Sequence, residues 1–275
     1  MVTISRKVLI DHYKEHAWYW LYKEPITQLE FDDRYNAKNF DFSNKRFIGI
    51  NLSGIALNEL ILHGADLRAA TFHSHANWQG AQLSFVNLQD VDLTEVDLRE
   101  AVFHRANLRG TNLTKAWLTG SNFLEARMQG ANLSVARIDH AELSKARLLR
   151  ANLSKALITA SNLSYARLEF ANLSQANLTD VNLEGAKLIG ANLSDSMLDN
   201  ANLSRANLAF ANLNHADLSD ASLSRARFRR NNVKGTDFKN ANPSKRQLRN
   251  ATRGQSIFAP PPLEVLTGEY TSKRS

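Results

Sequence analysis

Ala131-Asn132-Leu133-Ser134 returns as Ala151-Asn152-Leu153-Ser154 and again at 171, 191 and 201, always at a multiple of five residues. Self-similarity at a fixed period decides an architecture before any single helix or strand does. With the Leu taken as centre i, the 33 five-residue units from Ala76 to Asn240 carry an apolar residue at i every time, from Trp78, Leu83 and Leu88 to Phe238. Position i−2 is Ala, Ser, Thr or Val in 32 of the 33, Asn231 being the exception, whereas i−1, i+1 and i+2 are mostly polar or charged. Two positions therefore face a core and three face solvent.

A period of five fits neither the 3.6 residues of a helix nor a continuing alternation of two, although i−2 and i share one side as in a strand. The chain must turn within every unit. The pattern continues upstream in a shifted phase, with centres at Phe42, Phe47, Leu52, Leu57, Leu62, Leu67 and Phe72, and one extra residue near His75 separates the two registers. Phe40, Ile50, Ile55 and Leu60 at i−2 predict first coils that are wider or less regular.

The Ala-Asn/Asp-Leu-Ser/Thr-x units, Ala131-Asn132-Leu133-Ser134 among them, closely resemble the repeats of the pentapeptide-repeat family over about three quarters of the chain. That resemblance implies an all-β solenoid. Its form would be a right-handed quadrilateral parallel β-helix, four units to a coil of twenty residues, with the large i side chains in the middle and the small i−2 side chains at the tight places. Seven early units and 33 later ones make forty, hence about ten coils and, at ~4.8 Å between strands, a rod of roughly 48 Å. The expected organisation is a capping segment over 1–39, the solenoid over 40–240, and a basic cap and tail over 241–275.

Solenoid ends need covers, because they expose open sheet edges and an apolar interior. Residues from about Ser5 to Glu24 read as a helix stopped before Pro25, with Ile10, Tyr13, Ala17, Trp20 and Leu21 at helical spacing. At the other end the repeat fails at Pro243, which follows Asn242 as Pro follows an N-cap, so a short helix through Leu248 is expected. Pro260, Pro261 and Pro262 then dictate an extended tail.

The absence of cysteine removes disulfides, thiolate zinc sites and cysteine nucleophiles together. The first twenty residues carry Arg6, Lys7, Asp11, Lys14 and Glu15 without a long apolar run, so neither a signal peptide nor a membrane span is expected, and the chain reads as cytoplasmic. Its formal charge of +7 is unevenly placed: residues 226–275 hold eleven Lys and Arg against Asp237, Glu264 and Glu269, so the remaining body is close to neutral.

One string looks catalytic. His12-Tyr13-Lys14-Glu15-His16 matches the H-x-x-E-H zinc pattern, but it lacks a third ligand in view and sits on a predicted cap, so no metal or cofactor is expected; His73 and His75 at the register break read as loop residues. The many Asn-Leu-Ser strings are formal glycosylation sequons, better read as columns of stacked amides, with Asn112, Asn132, Asn152, Asn172, Asn192 and Asn212 twenty residues apart.

Another column departs from this rule. Position i−1 every twenty residues gives Arg127, Arg147, Arg167, Lys187, Asn207 and Arg227, and neighbouring outward positions add Arg109, Arg150, Arg229 and Arg230 with Phe170 and Phe210 among them. Like charges one strand apart repel by ~1 kcal/mol per pair in water, less with salt, unless an anion lies on them. Cations beside exposed aromatics suit an acidic protein groove or a nucleic-acid backbone. Long basic side chains also simply solubilise a flat β face. Asp90, Asp92, Glu95, Asp97 and Glu100 make a counterpart acidic patch near the start of the rod.

The expected function is a non-enzymatic protein-binding scaffold that presents this basic and aromatic face to an acidic partner. The resemblance supplies an alternative, since well-characterised bacterial members of the family bind type II topoisomerases as DNA mimics and protect them from inhibitors. A neutral body, a basic organised face and no long loop insertion depart from that pattern. Binding of nucleic acid or another anionic surface is the third reading, and an enzyme the weakest, for want of a concave site.

Overall fold

The computed structural model describes residues 25–73 and 76–252. In chain order these form β1 (Pro25–Ile26), α1 (Gln28–Asn36), β2 (Arg46–Asn51), β3 (Asp66–Thr71), a long run of single bridges, and α2 (Lys245–Thr252). β1, β2 and β3 pair in parallel, and between Asn77 and Asp237 the bridges are parallel and join residues twenty apart. The result is a parallel β-helical solenoid with four bridge columns running along it.

Each unit contributes one bridging residue at i−1 and then turns. In the unit Ala131–Val135, Asn132 bridges to Asn112 and Asn152, and the Ala136 amide donates to the Leu133 carbonyl at 3.1 Å across the corner. Position i+2 has a positive φ in all 33 units, only seven of them glycine. A β-turn whose second central residue is left-handed has the φ signature of a type II turn, and it costs an L-residue about 1–2 kcal/mol. The stacked hydrogen bonds of the coils above and below hold it there. This positive φ explains why the sequence repeats every five residues rather than every two.

The interior follows the i and i−2 positions. Every centre from Trp78 to Leu218 is fully buried, and the Phe103 and Phe123 rings stack 4.8 Å apart and parallel within 2°, one coil upon the next. Polar side chains at i−2 satisfy themselves on the backbone: Thr111 Oγ1 donates to the Leu88 carbonyl and Ser161 Oγ to the Ile138 carbonyl, both at 2.7 Å. Asn231, the one sequence exception, donates to the carbonyls of Leu208 and Ala211 and accepts from the Arg229 amide, so it fills a small position without an unmet polar group.

Two Asn columns run along the rod. Asn152, Asn172, Asn192 and Asn212 each donate Nδ2 to the Oδ1 one coil below, at 3.0–3.2 Å, while the Oδ1 atoms also accept the amide two positions on, as Asn152 does from Ser154. Asn182 and Asn202 continue a second ladder above Asn162. Here the Asn side chains cross-link coils, the role the sequon strings suggested.

The first coils are irregular, as the bulky side chains at i−2 predicted. Bridges there join Ile61 to Gln82 and Asp66 to Asn87, one position more than a regular coil, which places the extra residue between the two registers, and β2 shifts twice against β3. The expected helix over 5–24 lies outside the described residues. The sequence reading missed α1, which buries Phe31 against Phe42 and Phe47 beneath the first coil. Its signal was present: Thr27 and Glu30 have capping-box spacing, and the Thr27 side chain accepts from the Glu30 amide. At the far end α2 begins two positions later than the Asn242-Pro243 reading placed it. Asn242 takes a left-handed φ, and Ser244 caps the helix instead, exchanging hydrogen bonds with Gln247 at 3.2 and 2.7 Å. Gln247 Nε2 also donates to the carbonyls of Leu223 and Ala226, tying α2 to the last coils.

Candidate protein-binding face

The basic residues singled out from the sequence occupy one series of units, 106–110, 126–130, 146–150 and onward to 226–230. Their i−1 members form an unbroken bridge column, Asn107, Arg127, Arg147, Arg167, Lys187, Asn207 and Arg227. The alternation within each short strand explains the direction: i−2 and i turn inward, so i−1 between them points out. Backbone bonds fix the spacing, the Arg127, Arg147 and Arg167 amides each donating to a carbonyl one coil earlier at 2.9 Å.

Off the column axis, Arg109 and Arg229 stand at i+1, and Arg150, Phe170, Phe210 and Arg230 at i+2. Arg109 Nε donates to Gln129 Oε1 at 3.3 Å. Arg167 meets Glu169 at 3.2 Å, and Glu169 is buried while Arg167 is half exposed. One cation of the column is thereby neutralised from within, and Asn207 interrupts the charge near the end.

The aromatics differ from the sequence reading. Phe170 and Phe210 are partly buried rather than exposed. A Cβ added to Gly190 would lie 2.6 Å from the Phe170 ring, so the ring lies down along the rod over the glycine one coil on. Phe210 packs under the Arg229 guanidinium, 5.6 Å from ring centroid to carbon. Folding these rings flat buries apolar surface that would otherwise face water.

Exposed apolar side chains instead line a different column, Asp97, Trp117, Arg137, Leu157, Asn177, Met197 and Asp217, in which Trp117 and Met197 stay 46% and 45% exposed. Arg99 and Arg137 sit 5.5 and 5.7 Å from the Trp117 ring. The same i−1 rule would have found this column. The acidic patch is largely spent internally: Asp97 binds Arg99 at 2.6 Å, Glu95 binds Lys115 at 3.0 Å, and Asp92 accepts from Thr94 and Asn112.

Among the described residues no cluster of His, Asp and Glu is built to hold a metal ion, and no helix is long and apolar enough to cross a membrane. His12 to His16 and His75 lie outside them.

A family model described as pentapeptide repeats matches in eight copies, over residues 74–105, 87–123, 106–144, 136–175, 176–209 and 206–242, together more than half of the chain. Similar solved structures include HetL, a pentapeptide repeat protein involved in heterocyst differentiation regulation from the cyanobacterium Nostoc. It is 23% identical over 78% of this chain and 94% of its own, with a TM-score of 0.34. Rfr23 from the cyanobacterium Cyanothece is 47% identical, over 34% of this chain and 61% of its own, at a TM-score of 0.29. The plasmid-mediated fluoroquinolone resistance protein QnrB1 is 19% identical over 72% of this chain and 88% of its own, at 0.37. No curated protein matches the sequence.

Proposed function

This chain belongs to the pentapeptide-repeat family, and from that membership we propose that it is a non-enzymatic scaffold whose basic column engages an acidic surface on a partner protein. The shape proposed with it is a right-handed, four-sided rod of about ten coils over 40–240, between a capping segment over 1–39 and a basic cap and tail over 241–275. The proposed site residues are Arg109, Arg127, Arg147, Arg150, Arg167, Phe170, Lys187, Phe210, Arg227, Arg229 and Arg230, and the proposed setting is the cytoplasm.

One observation carries this reading: the bridge from Arg127 to Arg147, to Arg167 and to Lys187 stacks four basic side chains at strand spacing on one face, of which Arg167 is paired with Glu169. Such an array costs the isolated rod repulsion and is relieved by a row of carboxylates at complementary spacing. A nucleic-acid backbone would also relieve it, but the Arg167–Glu169 pair and Asn207 break the array where a polyanion gains from continuity. The topoisomerase reading is not preferred, because Asp92, Glu95 and Asp97 of the early acidic patch are bonded to neighbouring cations, a hydroxyl and an amide.

The test is a pull-down of the tagged protein from its native lysate, with and without nuclease, at two salt concentrations. A stoichiometric protein that survives nuclease and disappears with the Arg127→Glu, Arg147→Glu, Arg167→Glu variant is expected. Recovery of nucleic acid alone would overturn the scaffold reading.

A further inference from the structure

Where the chain leaves the coil path near Asn242 and rises into α2, an open groove of about 1420 Å³ remains between the last coils and the helix. Its lining includes Arg225, Arg227, Arg229, Arg230 and Arg246, and no Asp or Glu. All five arginines are exposed, and among the described residues none forms an ion pair, in contrast to Arg68, Arg99, Arg105, Arg167 and Arg205.

The backbone adds donors. One coil earlier the Leu203, Arg205 and Leu208 amides donate to the carbonyls of Ser222, Ser224 and Arg227 at 2.8–2.9 Å. The corresponding Leu223, Arg225 and Phe228 amides border the groove, and among the described residues they make no hydrogen bond and have no further coil above them. Arginine side chains and unpaired main-chain N–H groups lining one groove, with no carboxylate beside them among the described residues, form the donor set that phosphate oxygens take.

We propose that this groove binds a soluble oligophosphate. A single phosphate cannot reach five guanidinium groups spread over two successive units and a helix, whereas a chain of linked phosphates can. The groove is distinct from the basic column in Arg225 and Arg246, which lie off it; the column is distinct in Arg127, Arg147 and Arg167.

The test uses the full chain and inorganic tripolyphosphate as probe, by titration calorimetry, with a single-stranded oligonucleotide and a poly-glutamate peptide measured in parallel. Saturable one-to-one binding of tripolyphosphate is expected, weakened about tenfold or more by the Arg225→Gln, Arg246→Gln variant and retained by the Arg127→Glu, Arg147→Glu, Arg167→Glu variant. Unchanged thermal unfolding of the Gln variant checks that these exposed positions leave the fold intact. Failure to bind tripolyphosphate, tighter binding of the oligonucleotide or peptide, or equal loss in both variants would overturn the proposal. Because the column variant is scored separately, failure here leaves the partner-binding reading untouched, and the converse holds.

Discussion

Gly130 and Gly190 occupy equivalent i+2 corners on the same face, with φ of +69° and +66°, yet a Cβ at Gly130 meets nothing within 4 Å while one at Gly190 lies 2.6–2.7 Å from two carbons of the Phe170 ring. Alanine at either site carries the same left-handed penalty, about 1–2 kcal/mol relative to glycine. At Gly190 the ring must also lift from its bed, an overpacking term of about 1–3 kcal/mol. Gly190→Ala should therefore destabilise by about 2–5 kcal/mol and Gly130→Ala by about 1–2 kcal/mol, and adding Phe170→Ala should remove most of the difference. Urea unfolding of the wild type, the three single variants and the double variant measures this, with m-values checked because stacked coils can unfold in parts. Equal losses in the two glycine variants, or a difference that survives Phe170→Ala, would refute the packed-down ring.

Asn172→Ala removes a ladder bond on each side and the acceptor for the Ser174 amide, so a loss of about 1–3 kcal/mol is expected in the same urea assay. Gln247→Ala frees the Leu223 and Ala226 carbonyls and unties α2, which should appear as faster hydrogen exchange in the last coils with little change around Arg150. The Asp97 and Glu125 carboxyls are held below the usual carboxylate range, chiefly by hydrogen bonds from Arg99 and Arg105. Their contribution is therefore present above the unfolded-state values and lost as pH falls through the folded ones. An Asp97→Asn, Glu125→Gln variant should show a shallower fall in melting temperature on acidification, and an unaltered profile would exclude these pairs as the source.

Much of the fold was legible because a single periodic rule acts on every unit. Apolar side chains at i and small ones at i−2 can only be core, so the buried set, the coil phase and the slip near His75 follow from residues such as Leu133 and Ala131. The corner was not legible. Position i+2 adopts a left-handed φ as Val135, Tyr165 and Lys155, side chains that give no local hint of it, because hydrogen bonds from adjacent coils impose the turn. The ends were harder for the same reason. Thr27 and Ser244 are ordinary capping signals, but only the tertiary context shows which of several candidates starts a helix, and Asn242-Pro243 was the more familiar of the two at the C-terminus. On the candidate face, residue identity told which column was charged. Whether Phe170 stood up or lay down depended on Gly190, at the equivalent corner of the next coil, a contact visible only once the corner positions are compared coil by coil.

In the proposed scaffold the cations act as an ordered column rather than through net charge, and two variants of equal charge change decide between the two. Binding of the captured partner is compared for Arg127→Glu, Arg147→Glu, Arg167→Glu and for Lys145→Glu, Lys155→Glu, Arg205→Glu, whose exposed side chains belong to other unit series. Loss of binding in the first with retention in the second is the expected result. Equal loss in both would contradict the column and leave only a nonspecific attraction of a basic protein for acidic ones.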